Sequence, residues 1–480
     1  MACPAYTRQL MVVMMKQLFS RQRFYLLAAI LWGLAPGTSR GGDVSATAAR
    51  PSPEWVRNGI IYEIFPRAFS PAGDLAGVTA RLDELHRLGV TILWTMPIHP
   101  IGEKARKGTF GSPYSIRDYY AVDPHYGTLA DYQRFVAAAH QRGMKVIMDL
   151  VANHTAWDSV MMTNQSFYKQ NAAGQVISPV PDWADVAGLN YANPALRKYM
   201  ITMLKYWIQA CDVDGFRCDA APMVPLDFWA QVRAALSAVK PDILLLDEGE
   251  EPALLTNAFD LDYSWELMST LNHVINHDAP ASDLRRSWEA SRAKYPRDAL
   301  RMRISDDHDE TRAIARYGMN GALAASALMF TLDGVPLLYN GMEAGDATES
   351  ADPALFEKFT ICWHPHASER PPFRRIYQDL IQLRKNHPAF RTADVQWLHN
   401  SCESSLLSYL RTDDRDAFLV TINFANRPVE GRVDLPDSSG FAPLQISGLQ
   451  NAAADALPSI RLAGFEWRIF HQSIRAVATK

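Results

Sequence analysis

From about residue 55 to 390, short apolar runs alternate with segments of helical period. The runs are Ile60–Ile64, Thr91–Met96, Lys145–Leu150, Val213–Asp219, Ile243–Asp247, Phe259–Tyr263, Arg301–Ser305 and Val335–Tyr339, eight in all. Between them, Val78–Leu88, Leu129–Gln141, Pro194–Cys211, Pro225–Val239 and Gly321–Leu332 repeat apolar residues at helical spacing. Runs rich in Val, Ile and Leu that alternate with helices predict a parallel sheet buried on both faces. Eight such units predict an α/β fold, a closed (β/α)8 or TIM barrel, with its working residues at the C-terminal strand ends.

Two stretches break the rhythm. Residues 155–193, after the third strand, read as irregular and hold Pro179-Val180-Pro181-Asp182-Trp183. A connection that long is usually a functional insertion, here beside the barrel mouth. Beyond residue 391, Ser405–Arg411, Ala417–Asn423, Gly431–Leu435 and Glu466–His471 alternate or run β-branched and aromatic. They predict a small antiparallel β-sandwich. The predicted organisation is therefore a leader over 1–49, a barrel over 50–390 including the 155–193 insertion, and a β domain over 391–480.

Composition and charge narrow the class. Of 480 residues, 48% are apolar, 21% charged and 10% aromatic, enough apolar surface to bury a large core. Net charge is −4, and the first 42 residues hold five basic side chains and no acid, so the rest carries −9. So acidic a body argues against nucleic acid or an anionic membrane as a partner. Arg21 and Arg23 precede the uncharged run Phe24–Leu34, and small residues follow to Ala49. That order is an export signal, and the run is too short to span about 30 Å of hydrocarbon, so no stable membrane span is expected. The expected location is periplasmic or extracellular, with cleavage after Ala35 or Ala48. Cys211 and Cys218 read as small core residues, and a Cys362–Cys402 bridge is left open.

The acids fall where a barrel would gather them. Asp149 ends the third strand, Asp219 the fourth, Glu248 follows the fifth, and His308-Asp309 follow the seventh. Three acids converging at one mouth supply a nucleophile, a proton donor and a stabiliser of oxocarbenium charge, the equipment for breaking a glycosidic bond. Arg217 stands two residues before Asp219, on the same strand face, where it would keep Asp219 ionised and aimed. Glu248 must start protonated, so its site should be apolar or crowded with acids. Glu250 shares its alternation and is its rival. Asp309 would accept hydrogen bonds from sugar hydroxyls, and His154 and His308 would donate them. Asp149 reads as structural, and His86, His99 and His125 as surface or packing residues.

These strand-end residues, with Ile61-Tyr62-Glu63-Ile64-Phe65-Pro66-Arg67-Ala68-Phe69, Tyr114-Ser115-Ile116-Arg117-Asp118-Tyr119 and Leu338-Tyr339-Asn340-Gly341-Met342-Glu343, resemble the α-amylase family, glycoside hydrolase family 13. The resemblance runs from about Trp55 to the C-terminus. It implies a retaining mechanism with Asp219 as nucleophile, Glu248 as acid/base and Asp309 as transition-state stabiliser. It also implies that Arg217, His154 and His308 line the subsite of the cleaved sugar, with Tyr114 stacking there. The chemistry then needs no cofactor. Asn153 matches a calcium-binding Asn of the family, but an acid often used for calcium is replaced within Ala187-Gly188-Leu189-Asn190. A hard cation wants about six to eight oxygens, so structural calcium is left open. Pro222-Met223 replaces a frequent Lys-His pair after the nucleophile, and Asp307 a frequent Asn before His308.

The expectation is thus an exported hydrolase of α-1,4-linked glucose oligomers or starch-like polymers. Its nearest alternatives within the family are a glucanotransferase and an α-1,6- or disaccharide-active enzyme. A catalytically silent carbohydrate-binding relative is the alternative from another class, disfavoured because all three acids are present.

Overall fold

A computed structural model describes residues 42–365, 370–447 and 457–474. Asp43–Lys480 forms one compact unit. Residues 1–41, with the basic and apolar parts of the expected export signal, lie outside the described residues. Residues just after them already pack on the barrel: the Ala49 N–H donates to Arg297 O at 2.7 Å and the Arg50 N–H to Leu255 O at 2.8 Å. Among the described residues no helix is long and apolar enough to cross a membrane.

All eight predicted strands form, and all pair in parallel. They are β1 (Ile61–Ile64), β2 (Ile92–Thr95), β3 (Lys145–Val151), β4 (Gly215–Asp219), β5 (Leu244–Asp247), β6 (Leu261–Asp262), β7 (Met302–Arg303) and β8 (Val335–Tyr339). Their order is β6-β5-β4-β3-β2-β1-β8-β7, and a parallel bridge from Asp262 to Arg301 joins the two ends, closing the barrel. The core divides accordingly. Ile61, Trp94, Ile147, Leu246, Ile304 and Leu337 belong to an interior cluster, while Tyr62, Leu93, Val146 and Phe216 face the helices. This is the two-faced burial that the continuous apolar runs demand.

The helices depart from expectation in two places. The segment expected over Val78–Leu88 is two helices, Leu75–Thr79 and Leu82–Leu88. The segment expected from Gly321 belongs to a longer run, Ala313–Thr331, interrupted at Gly318, whose φ of 71° lies where only glycine is at ease. The insertion is also more regular than its composition suggests. His154–Ala156 pairs antiparallel with Val186–Gly188, and two short 3-10 turns lie between them.

Past the barrel, the strands Gln396–Trp397, Leu406–Thr412, Asp416–Asn423, Trp467–Ser473 and Ala442–Pro443 make a five-stranded sheet in that order. A two-stranded ribbon, Val429–Arg432 with Ser459–Leu462, lies over it. Leu406, Leu419, Val429, Ile460 and Phe470 form the layer between them, giving the expected antiparallel sandwich. Trp467 is part of the core, and Trp397 is half-buried against Trp288 and Tyr409. Tyr409 Oη reaches Thr331 Oγ1 at 2.6 Å, and buried Arg411 donates to Ala389 O at 2.9 Å, so the sheet shares hydrogen bonds with the barrel's helices. Cys402 carries a free thiol that donates to Glu430 O, so the bridge to Cys362 does not form. Cys211 and Cys218 are buried and free, as expected.

Candidate active site

The mouth of the barrel is built around one guanidinium. Asp149 and Arg217 stand in register on β3 and β4, so their side chains project together toward the axis. Arg217 Nη1 donates to Asp149 Oδ1 at 3.0 Å and to Asp219 Oδ1 at 3.2 Å, and its Nη2 lies 2.6 Å from Glu248 Oε1. Its Nε donates to Tyr263 Oη at 3.2 Å. Trp94, Tyr114 and Tyr263 surround it, with ring centroids 5.1 to 5.8 Å from its central carbon. Aromatic faces attract a desolvated cation. Burial opposes the charge of Arg217, yet Asp149 and Glu248 hold the guanidinium well above its ordinary pKa.

A turn sets the angle between the two presumed working acids. Ala220, directly after Asp219, adopts the left-handed conformation with φ 43°, a strained choice for a residue with a Cβ. Its N–H donates to Glu248 Oε2 at 2.6 Å, fixing Glu248 beside the end of β4.

The second cation is His308. Its Nδ1 lies 2.5 Å from Glu63 Oε1, and its Nε2 lies 2.7 Å from Tyr114 Oη and 3.2 Å from Asp309 Oδ2. The Tyr114 ring stacks on the imidazole, centroids 5.3 Å apart, and its hydroxyl also donates to Asp149 at 3.2 Å. Burial disfavours an imidazolium, but Asp309 and Glu63 outweigh it and push the His308 pKa up to about 10. Asp307 is buried, and its Oδ1 accepts the Asp309 N–H at 3.1 Å, orienting the loop that carries the third acid.

Exposure sorts these residues by role. The side chains of Asp219, Glu248 and Asp309 are 12%, 17% and 35% exposed, whereas those of Asp149, Arg217, Glu63 and His308 are at most 1% exposed. The first three are the most exposed of the seven, and Arg217 and His308 hold them through the contacts above. Asp149 is buried at the end of β3, bonded to Trp94, Tyr114 and Arg217.

One expectation is reversed. Arg217 was to keep Asp219 ionised. Burial and the neighbouring Glu248 charge, with Asp149 and Asp309 behind, instead push the Asp219 carboxyl well above the usual carboxylate range, and Arg217 does not reverse this. The cause is sharing: one guanidinium serves three carboxylates.

The remaining predicted residues are placed as follows. His154 is buried, and desolvation lowers its pKa to about 4, so it is neutral at ordinary pH. Its ring meets the edge of Trp183 at 5.4 Å. Glu250, the rival acid, pairs with Arg301 at 2.6 Å and accepts the Glu266 N–H, which removes it from the cleft. His99 is buried against Tyr119 and Trp207. Asn153 Nδ2 lies 3.3 Å from His154 Nδ1 and 3.8 Å from the Met223 thioether, neither of them a hard oxygen donor. Among the described residues no group of three or more His, Cys, Asp and Glu is placed to hold a metal. Reading the sequence missed the roles of Glu63, Trp94 and Tyr263. Glu63 and Trp94 lie on apolar strands whose inward face the alternation does mark, and a polar residue on such a face is the signal that would have found them.

A closed barrel whose strand ends gather Asp219, Glu248 and Asp309 defines a carboxylate-dependent glycosidase. The α-amylase catalytic-domain family matches residues 45–176 and 180–400, and the chain belongs to that family. It is 30% identical over 434 residues to α-amylase MalA of Haloarcula japonica, covering 86% of this chain and 62% of that protein. It is 27% identical to a cyclomaltodextrinase of Geobacillus thermopakistaniensis, covering 79% of this chain and 71% of the other. Among solved structures, an α-amylase from Lactobacillus plantarum superposes with TM-score 0.77 at 32% identity, covering 87% of this chain and 99% of that one.

Proposed function

We propose that the protein is a retaining α-glucan hydrolase, cleaving α-1,4-glucosidic bonds of maltooligosaccharides or starch-like polymers through a covalent glycosyl-enzyme. The observation that carries this reading is the trio of cleft-facing acids held by two buried cations. Glu248 gives its proton to the glycosidic oxygen as Asp219 forms a bond to the anomeric carbon and the leaving sugar departs. Water then attacks that carbon, returns a proton to Glu248 and frees Asp219. Two inversions leave the α configuration. Asp309, backed by the His308 imidazolium, stabilises the positive charge that develops on the ring in each step.

A glycosidic oxygen placed against Glu248 receives its proton while Asp219 attacks as the carboxylate. The basic, apolar and small-residue order of the N-terminus supports action after export.

The test is product analysis on maltoheptaose, pullulan and trehalose, resolving product sizes and the first anomer formed. Shorter maltooligosaccharides released as the α-anomer are expected. Release of the β-anomer first overturns retention, longer products identify a transferase, and turnover of trehalose or pullulan alone moves the linkage.

A further inference from the structure

The barrel closes at its thinnest joint beside the site. β6 and β7 are each two residues long, and one parallel bridge, Asp262 to Arg301, joins them. The other neighbouring strands pair over two residues or more. Side chains reinforce the joint. Arg301 Nε donates across it to Tyr263 O at 3.0 Å, Arg301 Nη2 donates to the same oxygen, and Ser264 Oγ donates to Met302 O at 2.7 Å. Arg301 is itself held. Its Nε lies 2.5 Å from Asp262 Oδ1, its Nη2 donates to Glu250 Oε1 at 2.6 Å, and the Tyr295 ring centroid lies 3.9 Å from its central carbon. A buried guanidinium fixed by two acids and an aromatic face is costly to displace.

Tyr263 stands between that clamp and the acids. Its N–H donates at 3.3 Å to the carbonyl of Gly249, the residue after Glu248. Its own carbonyl is the one that Arg301 holds, and its hydroxyl accepts from Arg217 Nε at 3.2 Å. The ring is fully buried, stacked on Trp265 with centroids 5.0 Å apart and edge-on to Trp94. A guanidinium is a planar fork. The Nη1 and Nη2 of Arg217 face the carboxylates of Asp149, Asp219 and Glu248, which compete for its charge, whereas its Nε–H meets an uncharged hydroxyl. An anchored neutral acceptor at Nε sets the plane of the fork without joining that competition.

We propose that Tyr263 is a positioning residue for the reaction: its hydroxyl fixes the plane in which Arg217 divides itself between Asp219 and Glu248, and Arg301 holds Tyr263 in place across the β6–β7 joint. The inference rests on the reading of Asp219 as nucleophile and Glu248 as acid/base. Tyr263 acts through Arg217. Without the hydroxyl, the Nε–H loses a buried acceptor and the fork is free to tilt away from Asp219. Burial, Glu248, Asp149 and Asp309 all raise the Asp219 carboxyl, and Arg217 is the cation that opposes them. A guanidinium less closely held lets it rise further.

The experiment measures kcat/KM against pH on maltoheptaose for the full chain and for Tyr263→Phe, which keeps the ring and its stacking. Expected are a kcat about tenfold below native, a KM within about twofold, and an acid limb moved upward by about half a pH unit. Arg301→Lys keeps a charge but loses the double grip on Tyr263 O. It should move the limb the same way by less, and in the double variant the shifts should fall short of their sum. The limb should move equally on α-glucosyl fluoride, since Asp219 attacks both substrates. An acid limb at its native position in Tyr263→Phe overturns the proposal whether kcat holds or falls, because lost packing or lost folded enzyme lowers the rate without moving the limb. A native protein that turns over neither substrate overturns the hydrolase reading and the proposal with it.

Discussion

His308 Nδ1 lies 2.5 Å from the carboxylate of Glu63, tying the loop after β7 to the first strand of the barrel. The imidazolium is held from one side by Glu63 and from the other by Asp309, with Tyr114 stacked on its face. Its pKa rises from 6.5 to about 10. The stability it contributes is complete below about pH 6.5 and is lost as pH rises toward 10. Melting temperature should fall across that window and fall less steeply in His308→Asn. Glu63→Gln strips the imidazolium of one buried partner, so it should cost about 3 kcal/mol and bring the alkaline decline to lower pH. An unchanged alkaline profile in both variants would remove the ion pair from the account.

Asp219 and Glu248 share a guanidinium but should separate on mutation. Asp219→Asn should abolish turnover, on the order of 10⁴- to 10⁶-fold, as when other covalent nucleophiles are lost. Glu248→Gln should cost about 10²- to 10⁴-fold on maltooligosaccharides and far less on glucosyl fluoride, whose leaving group needs no proton. Stability distinguishes the two as well. The folded state raises the Asp219 pKa above its ordinary value, so the native carboxyl loses stability as pH rises and it must ionise in the crowd. Asp219→Asn should therefore gain on the native protein with increasing pH, read by melting curves at pH 5 and pH 8. Full maltooligosaccharide activity in Glu248→Gln would end its assignment as the acid.

Much of this site was legible as sequence, for identifiable reasons. Asp149, Asp219, Glu248 and Asp309 stand at strand ends, and a barrel of eight parallel strands has only one place to put them. Arg217 and Asp219 are two residues apart on one strand, so their shared orientation follows from the pleat. The balance of charge was not legible. That Arg217 also serves Asp149 and Glu248 depends on register between β3, β4 and β5, which one strand's alternation cannot supply. Glu63 was invisible as a partner because 245 residues separate it from His308. The helix break at Gly318 and the Gly188–His154 pairing of the insertion likewise depend on tertiary contacts rather than local pattern.

His154 and His99 set the acid side of the stability profile. Desolvation lowers both to about 4, and both charge on unfolding near 6.5. Their contribution is intact above about pH 6.5 and is lost as pH falls toward 4, on the order of 3 kcal/mol for each. His154→Gln should flatten part of that acid decline in melting temperature. A decline of native steepness in His154→Gln would place the acid sensitivity elsewhere, with His99 next to be changed.

Calcium provides the last contrast. Asn153 offers its amide to a thioether and an imidazole. A calcium bound only to the folded protein, at a concentration about a hundredfold above its Kd, would add about 2.7 kcal/mol, and chelation would then lower the melting temperature by several degrees. The donor set around Asn153 predicts no such shift: dialysis against a chelator, followed by return of millimolar calcium, should leave melting temperature within about 1 °C throughout. Asn153→Leu makes the outcome specific. It removes the amide and keeps the volume, so it should alter His154 and Met223 packing without creating or abolishing a calcium response. A chelator-dependent drop that vanishes in Asn153→Leu would show that the pocket rearranges to bind the ion, and that Met223 moves aside to admit it.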